Sequence, residues 1–103
     1  MSFHQRVLDK ICEIPAGKVA TYKAVAHALH SKAYRAVGTA LRNNQHPIVV
    51  PCHRVVNSNG YVGSYAGKKD GCRKKAQLLA KEGVSLQGLK VQNLKKYTHF
   101  FTA

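Results

Sequence analysis

The chain has 103 residues, 45% of them apolar, and 17 Lys and Arg against 4 Asp and Glu, giving a formal charge of +13. That length allows one domain with a modest core, and no apolar run approaches the ~18 residues of a membrane span. Such an excess of cations repels itself in a compact fold and implies a polyanionic partner. Nucleic acid ranks ahead of an anionic membrane, because no basic helix with a bulky apolar face is present.

The first residues, Met1-Ser2-Phe3-His4-Gln5-Arg6, lack the apolar centre of a secretory signal. An intracellular protein is expected, cytoplasmic in a prokaryote or nuclear in a eukaryote. Phe3, Val7, Leu8, Ile11 and Ile14 form an apolar stripe at helical spacing, and Ser2 with Gln5 reads as a capping box. These predict a helix over about 3–13, with Cys12 beside the stripe and packed in the core. Pro15-Ala16-Gly17 ends it as a tight turn. Thr21 caps a second helix from Tyr22 to about Leu29, with Val25, Ala26 and Leu29 inward. After a break at His30-Ser31-Lys32, a third helix runs from about Ala33 to Asn43. Two short helices so joined are the pattern of a helix-turn-helix.

The third helix is unusual for a core element. Gly38 and Ala40 are small, while Arg35 and Arg42 stand at its ends. Small residues flanked by arginine suit a surface that lies close to a nucleic-acid backbone. Next comes the apolar run Ile48-Val49-Val50 and then Pro51-Cys52-His53-Arg54-Val55. A thiol beside a histidine suggests a nucleophile and its base. On a straight strand the two side chains would face opposite ways, so the pairing requires the backbone to turn here.

Val55-Val56, Asn57-Ser58-Asn59-Gly60 and Tyr61-Val62 predict a small hairpin. Gly63, Gly67 and Gly71 punctuate a loop, and a last helix runs from about 70 or 71 to Glu82, stopped by Gly83 and anchored by Leu78 and Leu79. Arg73, Lys74 and Lys75 crowd its first turns, against the helix dipole. Glu82, one of only 4 acids, lies at the unfavourable C-terminal end, which implies a cationic or hydrogen-bonding partner. The tail from Val84 either wraps the core or frays. Cys12, Cys52 and Cys72 have no tight spacing, which fits a reducing compartment and gives no structural metal site. The expected fold class is mainly α with a small β-hairpin: a single helix-turn-helix, winged-helix-like DNA-binding domain over 1–103.

Five collinear stretches carry a resemblance. They are Ile14-Pro15-x-Gly17-x-Val19-x-Thr21-Tyr22; Arg35-Ala36-Val37-Gly38-x-Ala40; Ile48 to Val55; Gly60-x-Val62-Gly63-x-Tyr65-x-Gly67; and Leu78-Leu79-x-x-Glu82-Gly83. Over about residues 3–86 the chain resembles the C-terminal, active domain of the O6-alkylguanine-DNA alkyltransferases, which repair alkylated guanine. The resemblance implies that Cys52 accepts the alkyl group, His53 acts through water as its base, and Glu82 orients His53. It implies that Asn44 braces the site and that Tyr22 assists nucleotide extrusion and protonation of the leaving guanine. Arg35 would be the finger that fills the vacated stack. Ala36, Gly38, Thr39 and Arg42 would meet DNA from the minor groove, and the Val55 and Cys52 carbonyls with Tyr65, Ala66 and Gly67 would line the base pocket. The implied partner is double-stranded DNA containing O6-alkylguanine, bound by a monomer without cofactor or metal.

The chain departs from the family pattern at Gln45, where proline usually follows the asparagine, and at Ala66, where a small hydroxyl residue is common. The family's usual N-terminal companion domain, with any zinc site it carries, has no counterpart in this sequence. The single-domain alkyltransferase-like proteins are the alternative; they bind the lesion without transfer and recruit excision-repair proteins. Their acceptor position typically holds tryptophan, whereas this chain has Cys52 and no tryptophan.

Overall fold

Ser2 starts the first helix. Its hydroxyl accepts from the Gln5 backbone N–H at 3.1 Å, capping α1 (Phe3–Ile11). The second arm of the box is not made, because Gln5 Nε2 reaches Asp9 instead, at 2.9 Å. A computed structural model describes residues 2–43, 50–63 and 71–101. Helix α1 stops at Ile11, which leaves Cys12 one residue past the end and turned to solvent. The expectation that Cys12 packs in the core is thereby corrected: Val7 and Ile11 carry the buried face.

Strand β1 (Ala20–Thr21) leads directly into α2 (Tyr22–Ala28), whose cap is the Thr21 hydroxyl, 3.0 Å from the Ala24 amide. His30 supplies the left-handed residue (φ 56°) that turns the chain toward α3 (Tyr34–Arg42). These helices, with α1, form the helix-turn-helix body.

Strand β2 (Val55–Val56) pairs in parallel with β1, Ala20 opposite Val55 and Thr21 opposite Val56. Alternate residues of a strand face opposite ways, and this ribbon divides the interior accordingly. Ala20 and Val55 join a first core cluster with Val7, Ile11, Val25, Val37 and Leu41. Val19 and Val56 join a second with Val62, Leu79, Val84 and Val91. Leu79 comes from α4 (Gly71–Lys81), so each cluster uses one face of the same two-stranded ribbon.

The hairpin expected over 55–62 is a correction. Asn57 to Gly60 do make a tight turn, with Gly60 N–H donating to Asn57 C=O at 2.9 Å, but no strand pair extends from it. The competing partner is the tail. Tyr61 bridges to Lys90, and Val62 N–H donates to Leu89 C=O at 2.9 Å. The actual hairpin is β3 (Leu86–Gln87) against β4 (Lys90–Val91), with Gly88 at φ 61° supplying the positive angle its turn needs. After α5 (Leu94–Tyr97), the chain bonds to Val19 on both sides, each at 2.7 Å, from Tyr97 C=O and His99 N–H. The tail therefore wraps the core. Among the described residues no helix is long and apolar enough to cross a membrane.

Candidate active site and nucleic-acid groove

Between α3 and the 57–63 loop lies a groove of about 980 Å³. Lys23, Arg35 and Arg42 line it, all three exposed, and no carboxylate lines it among the described residues. Gly38 also lines it, and a Cβ placed there would meet open space. Ala40, by contrast, points into the first core cluster, so the small-residue face expected on α3 is narrower than the sequence suggested. Thr39 lines the groove but returns its hydroxyl to the Arg35 carbonyl at 3.2 Å. Ala36 is exposed on the same helix without lining the groove.

Cys52 sits on the groove, only 3% exposed. It opens a 3₁₀ turn, Cys52–Arg54, closed by Arg54 N–H to Pro51 C=O at 3.0 Å. Such a turn advances about a third of a revolution per residue, so Cys52, His53 and Arg54 fan out instead of alternating. The backbone turn required by the adjacent thiol and imidazole is therefore present.

His53 is 1% exposed, and its Nε2 lies 3.1 Å from Glu82 Oε2. The distance is that of a hydrogen bond, but neither ring nitrogen meets the angular requirement for one, so the contact is better described as charge–dipole attraction. Nδ1 is buried without a hydrogen-bond partner among the described residues. Burial holds the imidazole pKa below its ordinary value, against an opposing pull from Glu82. A carboxylate on Nε2 favours the tautomer with the proton there, leaving the Nδ1 lone pair open.

Glu82 has a second and tighter partner. Arg54 grips it with two donors, Nε to Oε1 at 2.9 Å and Nη2 to Oε2, while Nη1 donates to the Ile14 carbonyl at 2.7 Å. Burial alone would raise the Glu82 pKa, but Arg54 and then His53 outweigh it and hold the carboxyl below its usual range. The Pro15–Gly17 turn packs here too. Gly17 has φ 86°, and a Cβ on it would lie 3.1 Å from the Glu82 carbonyl oxygen.

The other side of Cys52 holds Tyr22 and Lys75. Lys75 is 1% exposed, and its Nζ donates to Tyr22 Oη at 3.2 Å. Burial pushes its pKa down to about 8, partly opposed by Cys52. Tyr22 is shifted up, by burial first and by Cys52 second, against Arg42. Tyr22 and Cys52 line the same groove, which brings the thiol within electrostatic reach of the pair.

The fold thus brings together Cys52, His53, Glu82 and Tyr22 of the expected catalytic set, and places Arg35, Gly38, Thr39 and Arg42 on the same groove. The Val55 side chain is in the core, and the role expected of this residue falls on its carbonyl. Asn44, Tyr65, Ala66 and Gly67 lie outside the described residues, as does Gln45. Two residues of the site carry no signal of their role in the sequence. Arg54 stands in the sequence only as part of the Pro51–Val55 motif, although it is a near cation for Glu82. Lys75 stands in the sequence as one of three cations crowding the first turns of the last helix, yet it lies four residues before Leu79, on the buried face of α4 with Gly71 and Ala76. Among the described residues, no group of three or more His, Cys, Asp or Glu is placed to hold a metal ion.

Fold and site together define a helix-turn-helix domain built around a recessed thiol on a cationic groove. Residues 2–84 match the family described as 6-O-methylguanine DNA methyltransferase, DNA binding domain, and the chain belongs to that family. It is 44% identical over 86 residues to a methylated-DNA–protein-cysteine methyltransferase of Methanothermobacter thermautotrophicus, an alignment spanning 84% of this chain and 47% of that one. The human methyltransferase is 48% identical over 84 residues, 80% of this chain and 39% of that one. The chain therefore spans less than half the length of these curated relatives. Among solved structures, S. pombe Atl1 in complex with damaged DNA containing O6-carboxymethylguanine superposes with a TM-score of 0.80 at 33% identity, covering 94% of both chains. The Mycobacterium tuberculosis OGT–DNA complex gives 0.74 at 36% identity, covering 81% of this chain and 49% of that one.

Proposed function

We propose that this protein is a DNA-repair alkyltransferase that binds duplex DNA in the Arg35–Arg42 groove, receives an extruded O6-alkylguanine, and takes the alkyl group onto Cys52. The observation that carries this reading is the recessed thiol flanked by two proton-handling partners: His53 backed by Glu82, and Tyr22 backed by Lys75. Extrusion is required because the O6-alkyl carbon is inaccessible inside a stacked duplex. Arg35, exposed at the start of α3, is suited to filling the gap left behind.

In the transfer step the Cys52 thiol gives its proton, through water, to the open Nδ1 of His53. The thiolate sulfur attacks the alkyl carbon; the S–C bond forms as the C–O6 bond breaks, and its electron pair leaves with guanine. Tyr22 supplies the proton the leaving base takes up. Its raised pKa keeps the phenol protonated at neutral pH, and the Lys75 ammonium supports the oxygen as the proton departs. Asn44, Tyr65, Ala66 and Gly67 are proposed to brace and line the base pocket. Nothing in this sequence of events regenerates the thiol.

A second reading has its own support. The match to Atl1 runs over 94% of both chains, whereas the methyltransferase relatives are matched over less than half their length. On that reading the protein binds the lesion and hands it to other repair proteins. Incubation with duplex DNA containing O6-methylguanine distinguishes the two. Transfer adds one methyl to the Cys52 peptide by mass spectrometry and plateaus at one per protein. Tight binding with unmodified Cys52 supports the sensor, and multiple turnover contradicts the transfer mechanism.

A further inference from the structure

Three large hydrophobic side chains are exposed among the described residues: Tyr34 (52%), Tyr61 (37%) and Phe100 (77%). Single exposed aromatics are ordinary on a protein surface. Here, however, two of the three line one groove, Tyr34 from α3 and Tyr61 from the loop wall. Tyr61 is tied in place through its backbone, donating to Asn59 Oδ1 at 3.0 Å and accepting from the Asn57 amide at 2.9 Å. Tyr34 is different. It is the first residue of α3, immediately before Arg35, and its ring has no aromatic, cationic or hydrogen-bond partner among the described residues. Neither core cluster includes it. Its helix start gains nothing from it either, since Ala33 offers no side-chain cap.

We propose that Tyr34 is a second wedge: with Arg35 in the gap left by the extruded nucleotide, the Tyr34 ring stacks on the base left unpaired in the opposite strand. This rests on the reading of the groove as the site of nucleotide extrusion. Extrusion creates two unsatisfied surfaces, the vacated stack and the orphaned partner base. One side chain cannot cover both. Neighbouring residues of a helix differ by about 100° in direction and 1.5 Å in rise, so Tyr34 and Arg35 enter one groove along different lines. An aromatic ring suits the second task because every base presents a π-face, and the stacking needs no sequence readout. The phenol also reaches into a groove that carries Lys23 and Arg42 for the phosphates. The ring then adds affinity only where a base has lost its partner.

The test uses two duplexes, one intact and one with a tetrahydrofuran abasic analogue opposite 2-aminopurine. Neither can donate an alkyl group, so binding is read without transfer. Tyr34→Ala is expected to bind the abasic duplex about tenfold more weakly, with affinity for the intact duplex changed less than twofold. Wild-type protein should quench the 2-aminopurine, Tyr34→Ala should leave it bright, and Tyr34→Phe, which keeps the ring, should restore the quench. Equal losses on both duplexes, or full quenching by Tyr34→Ala, would overturn the wedge while leaving the groove assignment standing. A wild-type protein with no preference for the abasic duplex would overturn extrusion itself, and the wedge with it.

Discussion

Lys75 is the residue on which sequence and structure differ most in meaning. In the sequence it is the last of three adjacent cations; in the fold it is buried against Tyr22 and within reach of Cys52. Its pKa of about 8 in the folded protein lies below the ordinary 10.5. The unfolded chain therefore binds more protons than the folded one between those values, so stability rises as pH climbs from 8 toward 10. Below about 8 both states carry the charge, and the full cost of burying it applies. The urea midpoint of the wild type should therefore increase between pH 7.5 and 9.5 relative to that of Lys75→Met, which lacks the titration. A parallel response in both proteins would refute the assignment. His53 behaves in the same sense at lower pH. With its folded pKa depressed, the unfolded chain takes up the proton first as pH falls through about 6.5, and stability declines from there.

At the scale of elements, the Pro15–Gly17 turn and the end of α4 form one joint. Gly17 sits at φ 86° against the Glu82 carbonyl, and Arg54 ties the Glu82 carboxylate to the Ile14 carbonyl. Gly17→Ala would suffer twice, from a left-handed backbone and from a 3.1 Å approach to a main-chain oxygen. We expect a loss of about 1–2 kcal/mol in a urea titration. The helices were legible in the sequence because their caps and apolar spacing are local. Ser2, Thr21 and the stripe of α1 place their elements to within a residue or two. The hairpin was misplaced because Val55–Val56 and Tyr61–Val62 carry strand propensity but no record of their partners. Those partners, Ala20–Thr21 and 89–91, lie about 30 residues away on either side. The site divides the same way. Cys52 and His53 adjoin in sequence and Glu82 stood out as a rare acid, whereas Arg54 and Lys75 took their roles from contacts 28 and 53 residues distant.

For the whole molecule, a charge of +13 on 103 residues would set how it meets the DNA proposed as its partner. Each phosphate neutralised releases a condensed counterion, so affinity falls with salt along a slope of about −0.9 per contact. With Lys23 and Arg42 lining the groove for the phosphates, the slope of log K against log salt should be about −2 or steeper. Fluorescence anisotropy between 50 and 200 mM salt, on the order of the range where this effect is large, measures it. A flat dependence would mean the charge serves something other than DNA.

Val19 gives the molecule a particular order of assembly. Helices α1 to α3 contact one another at short sequence separation, and such local bodies form quickly. The second cluster cannot close until residues 97–99 reach Val19, almost 80 positions back along the chain. During synthesis, then, the helices that would face DNA can already exist while the half of the site anchored on α4, Glu82 and Lys75 included, still waits for residues 97–99 to arrive. A ribosome stalled before residue 97 would present a groove without a finished centre.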